Sequence, residues 1–197
     1  MRKPKGRKGT TRLLIFLVMI LILVFFADDS HVIKRRQYPL KYENWIQKYS
    51  EEYSVDPYMV ASVILVESRY LPDAVSSKDA KGLMQILPST GEWAAGRMKL
   101  KGYQEKQLFD PEINIQIGCW YLSFLSSQFP DNMDLVLASY NGGIGNVNKW
   151  LTNKECSKDG KKLDHIPYGE TRNYVVRVQE AYKIYQEVYP YLELPGD

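Results

Sequence analysis

Apolar residues recur at helical spacing along most of this chain. Between Pro57 and Ser68, Val60, Val63, Ile64 and Glu67 fall at i, i+3, i+4 and i+7, so they share one face of a predicted helix. Another helix is predicted from Tyr42 to Tyr53. A third opens at Asp110-Pro111-Glu112, which supplies a cap, a proline at the first helical position and an acid in the first turn. Ile113, Ile117, Trp120, Tyr121 and Phe124 then form its apolar face, to about Gln128, and mark it as a core helix. Asn114 on the same helix is a candidate to face a cleft. Met133 to Tyr140 reads as a fourth helix, capped by Asp131 or Asn132 and ended by Asn141-Gly142-Gly143. Tyr174, Val178, Ala181, Tyr182 and Tyr185 make the stripe of a C-terminal helix, with Glu170 and Thr171 in its first turn. The chain reads as all-α, without internal repeats. Lys154 to Lys162 reads as a solvated, charged loop.

Glu67 is the exception on its stripe. A carboxylate removed from water is costly while ionised, so burial favours the neutral acid and raises the pKa. A carboxyl still protonated near neutral pH suits a general acid for glycosidic-bond cleavage. The competing reading is a solvated or ion-paired glutamate at a helix end. Arg69, two residues on, is poorly placed for such a pair.

Three polar, glycine-containing segments follow. Gly82-Leu83-Met84-Gln85-Ile86-Leu87-Pro88 offers a permissive backbone at Gly82, an adaptable apolar wall in Met84 and both an amide donor and acceptor in Gln85. It equally describes a turn and a short amphipathic segment. Ala138-Ser139-Tyr140-Asn141-Gly142-Gly143 describes a helix end, yet a helix end does not require the Tyr-Asn pair. Pro167-Tyr168-Gly169-Glu170-Thr171-Arg172-Asn173-Tyr174 fits a capped first turn.

Together, Glu67-Ser68, Gly82 to Gln85, Tyr140 to Gly143 and Glu170 to Tyr174 resemble, in order and spacing, the soluble-type lytic transglycosylase catalytic domain, a lysozyme-like family acting on bacterial peptidoglycan. The resemblance covers roughly Tyr42 to Tyr189. It implies a lysozyme-like helical fold and no cofactor or metal. It implies Glu67 as the single catalytic acid/base, with Ser68, Met84, Gln85, Tyr140, Asn141, Glu170 and Tyr174 forming the substrate site. Met84 and Gln85 would line the cleft, Tyr140 and Asn141 would contact the sugar, Glu170 would support Glu67, and Tyr174 would pack nearby. The family pattern has Ala-Tyr-Asn where this chain has Ala138-Ser139-Tyr140-Asn141, a departure that bears on local packing. The implied reaction leaves 1,6-anhydromuramoyl ends. Two other readings stand beside it. One is a hydrolase that uses Asp73 or Asp79 to position water; the other is a wall protein that binds glycan without cutting it.

Charge and composition refine the picture. The 197 residues carry 26 basic and 23 acidic side chains. Six of the basic ones (Arg2, Lys3, Lys5, Arg7, Lys8 and Arg12) stand in the first twelve residues; without them 20 face 23, a net of −3. The positive charge belongs to the tail, which argues against a nucleic-acid-binding domain. Residues 13–27 form an unbroken apolar run, short for a bilayer at about 1.5 Å per residue. It fits a signal-peptide core or a retained signal anchor, and the lack of a small-x-small cleavage site favours the anchor. Either delivers the domain to the wall side of the plasma membrane. The organisation expected is a basic cytoplasmic tail (1–12), the apolar segment (13–27), a linker (28–41), a catalytic-type domain (42–189) and a tail (190–197). A wall-synthesis or secretion complex as partner is left open. Cys119 and Cys156 could pair outside the cell, or remain a buried and an exposed thiol. His31 and His165 lack partners at metal-ligand spacing. Of the 15 tyrosines, Tyr70, Tyr140 and Tyr168 could present ring faces to sugars.

Overall fold

The computed structural model describes residues 12–20 and 32–192, in two compact units, Met1–Pro39 and Leu40–Asp197. The first unit is helical over 12–20 and over 32–37, the latter inside the segment expected to be a linker. Among the described residues no helix is long and apolar enough to cross a membrane. Residues 21–27, the rest of the apolar run, lie outside the described residues, as do 1–11 of the basic tail and 193–197.

The second unit is helical: α1 (Glu43–Tyr53), α2 (Pro57–Ser68), α3 (Pro88–Met98), a 3-10 turn (Glu105–Phe109), α4 (Pro111–Gln128), α5 (Met133–Gly142), α6 (Ile144–Thr152) and α7 (Gly169–Val188). Extended pairing among its described residues is limited to two isolated bridges, Val75 to Lys81 and Lys81 to Ile86, in the loop between α2 and α3. The all-α expectation therefore holds for this unit.

Local signals place the helix starts. Asp56 caps α2 by accepting from the Tyr58 N–H at 2.8 Å, and Pro57 sits where its missing N–H costs nothing. Asp110 caps α4 by accepting from Glu112 and Ile113, again ahead of a proline. Asn132, rather than Asp131, caps α5 by accepting from the Leu135 N–H at 3.1 Å. That helix runs two residues past the expected end, and the turn falls at Gly143, whose φ is +84°. Helices α3 and α6 are further elements beyond those the sequence predicts, and both are short, at 11 and 9 residues.

The stripe predicted for α2 is a partial description. Pro57 through Ile64 and Ser68 are all buried, so the first two turns of this helix are enclosed on every side, while Leu65, Val66 and Glu67 in its last turn are half-buried. It packs chiefly against α7, which also covers α5, while α1 lies on α4. Hydrogen bonds pin the α2–α7 pair: the Tyr58 hydroxyl donates to the Tyr189 carbonyl at 2.9 Å, and the Tyr182 hydroxyl donates to Asp56. Tyr70, a candidate sugar platform, is instead a core residue at 1% exposure, its hydroxyl donating to the Ala61 carbonyl. Cys119 and Cys156 are both free thiols and both buried, so neither the disulfide nor an exposed Cys156 is found.

Asn114 is also placed differently from the expectation. It is fully buried, behind the loop rather than in a cleft. Its Nδ2 donates to the carbonyls of Lys81 (3.0 Å) and Leu108 (2.7 Å), and its Oδ1 accepts from the Met84 N–H (2.7 Å). Gly82, at φ +77°, fits between, because a Cβ there would stand 2.1 Å from the Leu108 carbonyl and 2.3 Å from Asn114 Nδ2. One carboxamide thus ties the Gly82–Gln85 loop to α4. Asn114→Ala should lower unfolding free energy by about 3 kcal/mol or more, since it strands buried backbone groups that each cost roughly 1–3 kcal/mol. Urea denaturation of wild type and variant would measure this.

Candidate active site

Glu67 is the penultimate residue of α2, half-buried in the last turn of a helix whose first two turns are enclosed. The chain leaves the helix through two consecutive left-handed residues, Arg69 (φ 53°) and Tyr70 (φ 63°). Burial pushes the Glu67 carboxyl up from 4.5 to about 7. Tyr174 and Arg177 pull it down in part, and the charge of Glu170 pushes it up further. The negative end of the α2 dipole acts in the same direction as burial.

Tyr174 comes from one turn inside α7. It is buried, and its hydroxyl faces Glu67 closely enough to offset part of the burial effect. The geometry falls short of a well-formed hydrogen bond, which leaves the oxygen without a partner in the structure. Glu170, on the first turn of the same helix, is exposed and paired with Lys78 at 3.2 Å. It acts on Glu67 through charge alone.

The Tyr140-Asn141 pair approaches from the end of α5. The Tyr140 hydroxyl donates to the Met84 carbonyl at 2.8 Å, and burial holds its pKa well above the ordinary phenol value, with the nearby Glu67 charge adding to the effect. Asn141 is fixed by Thr171, whose hydroxyl donates to Asn141 Oδ1 at 2.8 Å. Gln85 adopts a left-handed φ of 49°, and its Nε2 donates to the carbonyls of Ala74 and Gly82. Its donor end is thereby occupied within the loop. Gln85, Leu87, Thr90, Tyr121, Tyr140 and Asn141 line a pocket of about 250 Å³. Glu67 is not one of its walls; Tyr140 links the two, lining the pocket and feeling the Glu67 charge.

Two candidates sit elsewhere than the sequence suggested. Met84 does not offer its side chain to a cleft. It is fully buried against Gly118, where a Cβ would stand 2.1 Å from Met84 Sδ, and only its carbonyl reaches the site. Ser68 is buried too, its hydroxyl donating to the Ile64 carbonyl one turn back. Asp73 is exposed, and Asp79 is exposed and bound to Lys81 at 2.9 Å. Neither is among the charges acting on Glu67.

Three contributors were missed. Arg177 donates to the Val66 carbonyl at 3.4 Å and bears on Glu67 from α7. Its spacing of three from Tyr174 was the available signal. Thr171 does more than open α7, since it holds Asn141, and Tyr121 lines the pocket rather than serving only as core. Among the described residues no group of three His, Cys, Asp or Glu side chains is gathered to hold a metal ion.

Comparison with known proteins places residues 44–163 under the model of the transglycosylase SLT domain. Over 151 residues the chain is 35% identical to the soluble lytic murein transglycosylase of Escherichia coli (strain K12), covering 76% of this chain and 23% of that protein. It is 32% identical over 178 residues to the membrane-bound lytic murein transglycosylase C of Yersinia pestis (strain Pestoides F), covering 80% of this chain and 49% of that one. The chain thus spans a quarter to a half of these relatives. Among solved structures, the 70 kDa soluble lytic transglycosylase of Escherichia coli superimposes with a TM-score of 0.71 at 30% identity, over 82% of this chain and 27% of that one. A complex of the 70 kDa soluble lytic transglycosylase with bulgecin A also superimposes, at a TM-score of 0.71 and 30% identity over 78% of this chain and 25% of that one.

The burial of Glu67 has a consequence for stability. A carboxyl raised from 4.5 to about 7 on folding favours the folded state fully below pH 4.5, relative to higher pH, and that advantage is lost as pH rises to about 7. Glu67→Gln should therefore gain stability over wild type across this interval. One pKa unit is worth about 1.4 kcal/mol, so with allowance for remaining solvent the gain should reach about 1–3 kcal/mol at pH 8. Urea melts of both proteins at pH 4.5 and pH 8 would show it; a constant difference would refute the assigned burial.

Proposed function

The chain belongs to the transglycosylase SLT domain family, and from that premise we propose that it cleaves the β-1,4 bond between N-acetylmuramic acid and N-acetylglucosamine in peptidoglycan without water. The observation that carries the proposal is a single carboxyl, Glu67, held near a pKa of 7 by burial. It lies beside a polar pocket built from the family's motif residues.

A pKa near the operating pH suits one residue acting first as acid and then, once it has donated its proton, as base. Protonated Glu67 donates to the glycosidic oxygen as the bond from the muramic acid C1 breaks. The substrate's own N-acetyl carbonyl oxygen supports the developing positive charge, a recognised departure from the two-carboxylate scheme. The resulting Glu67 carboxylate then takes the proton of the muramic acid C6 hydroxyl. The C6 oxygen bonds to C1, closing a 1,6-anhydro ring and returning the proton to Glu67. Every atom of the substrate is retained in the two products.

The surroundings support each role. The Tyr174 hydroxyl faces the carboxyl, Tyr140 and Asn141 are held rigid by the Met84 carbonyl and Thr171, and Glu170 keeps a like charge near Glu67. A hydrolase would use a second carboxylate to position water. The two candidates, Asp73 and Asp79, are exposed, and one is ion-paired. The basic tail and apolar segment of residues 1–27 support a place on the wall side of the plasma membrane, held by a signal anchor.

Purified peptidoglycan digested with the protein should release fragments lighter by one water than hydrolysed ends, read by mass spectrometry. Hydrated reducing ends would sink the non-hydrolytic mechanism. Glu67→Gln should lower the rate by at least about a hundredfold, as loss of a general acid does. Because the acid form starts the reaction, kcat/KM should fall as pH rises through about 7, and a profile flat from pH 5 to pH 9 would contradict the assignment.

A further inference from the structure

An aromatic cluster that runs from a wall of the pocket to the surface has no part in proton transfer. Trp93, on α3, is 41% exposed, yet three rings of α4 hold it. Its centroid lies 5.0 Å from Trp120, 6.2 Å from Tyr121 and 5.0 Å from Phe124, at interplanar angles of 69°, 90° and 80°. Those three rings stack in turn: Trp120 and Tyr121 each lie within 12° of the Phe124 plane. Tyr121 then meets Tyr140 at 5.4 Å. Ring contact therefore runs unbroken from Tyr140 in the pocket, through Tyr121, to Trp93 at the surface.

The other side of the path is α3. Leu87 and Thr90 line the pocket, and Trp93 follows at the same spacing of three, so all three lie along one ridge. Leu87, like Trp93, is 41% exposed. Single exposed apolar residues are ordinary, but a contiguous aromatic patch joined to a pocket marks a binding surface. Trp93 is also fixed by its neighbours, so a ligand meeting it would not have to order it.

The polymer proposed for the pocket suits this patch. A β-linked pyranose carries its axial C–H bonds on two apolar faces and its hydroxyls around the rim. An indole face covers the first without desolvating the second. Glu92 and Arg97 are exposed on the same helix, Arg97 one turn beyond Trp93, where they can meet rim hydroxyls. A pocket of about 250 Å³ holds only a short stretch of such a strand, so the remainder must run over the adjoining surface.

We propose that Trp93, braced by Trp120 and Phe124, is a distal saccharide platform that stacks a sugar ring of the glycan strand beyond the pocket. This rests on the peptidoglycan reading above. The platform contributes to binding long strands and has no effect on the bond-breaking step.

The test uses the full chain carrying Glu67→Gln, so that strands are held without being cut, with and without Trp93→Ala. Each protein is sedimented with peptide-free glycan strands and titrated with a tetrasaccharide of the same repeat. Trp93→Ala should weaken strand binding about tenfold, as expected for loss of one stacked ring. Tetrasaccharide affinity should be unchanged, and Trp93→Tyr should recover most of the loss. In the Trp93-containing protein, bound strands should shield Trp93 from N-bromosuccinimide, read at that residue by mass spectrometry. This readout does not depend on how the variant folds. Unshielded Trp93, unchanged strand binding, or equal losses on strands and tetrasaccharide would overturn the platform. So would a Trp93→Ala defect confined to phosphatidylglycerol vesicles, which would assign the patch to a membrane surface. Failure of wild type to release any fragments would count against the catalytic reading alone, because the binding comparison needs no turnover.

Discussion

The enclosure of α2 is the constraint on which the rest of the structure depends. From Pro57 to Ile64 the helix has no solvent face, so the half-buried carboxyl in its last turn enters a region chosen by packing rather than by charge. The large apolar contacts along Val60, Val63 and Ile64 offset the cost of holding Glu67 out of water. That cost appears as a raised pKa, and the raised pKa is the chemically useful quantity. A more exposed helix would hold an ordinary, ionised glutamate.

Packing alone would leave the partners of Glu67 loose, and a hydrogen-bonded frame prevents it. Asn114 ties the Gly82–Gln85 loop to α4 from behind, and the Met84 carbonyl so positioned receives the Tyr140 hydroxyl. Thr171 then joins the end of α5 to the start of α7 through Asn141. Each bond links elements far apart in sequence, so the site has the rigidity of the whole domain. Most of these groups hold other residues in place and leave few atoms free for a ligand, which is how preorganised sites are supported.

Electrostatics around the carboxyl are balanced between opposing neighbours. Arg177 favours the ionised form and Glu170 the neutral one, while Lys78 pairs with Glu170 at the surface. Salt screens the exposed pair readily and the half-buried carboxyl less. Burial therefore sets the acidity of Glu67, and the surface charges trim it.

The sequence by itself determined the helical class and the starts of α2, α4 and α7, and it singled out Glu67, Tyr140, Asn141 and Tyr174, which the fold brings near one another. Those signals are local: a capping residue, a proline at the first turn, a repeat of three and four, a polar pair no helix end requires. It misread the residues whose roles depend on what lies across the chain. Asn114 read as a candidate to face a cleft, because nothing within a few positions of it reveals a loop lodged against its helix. Met84 looked like a cleft wall, although Gly118, 34 residues on, gives its side chain a buried seat. Arg177 and Thr171 were passed over because their partners lie on α2 and α5. Tyr121 and Trp93 share neither a helix nor a stripe, and only the packing of α3 on α4 joins them. Periodicity and capping act over one or two helical turns, whereas burial, hydrogen-bond partners and pocket walls are set by contacts that only the folded chain creates.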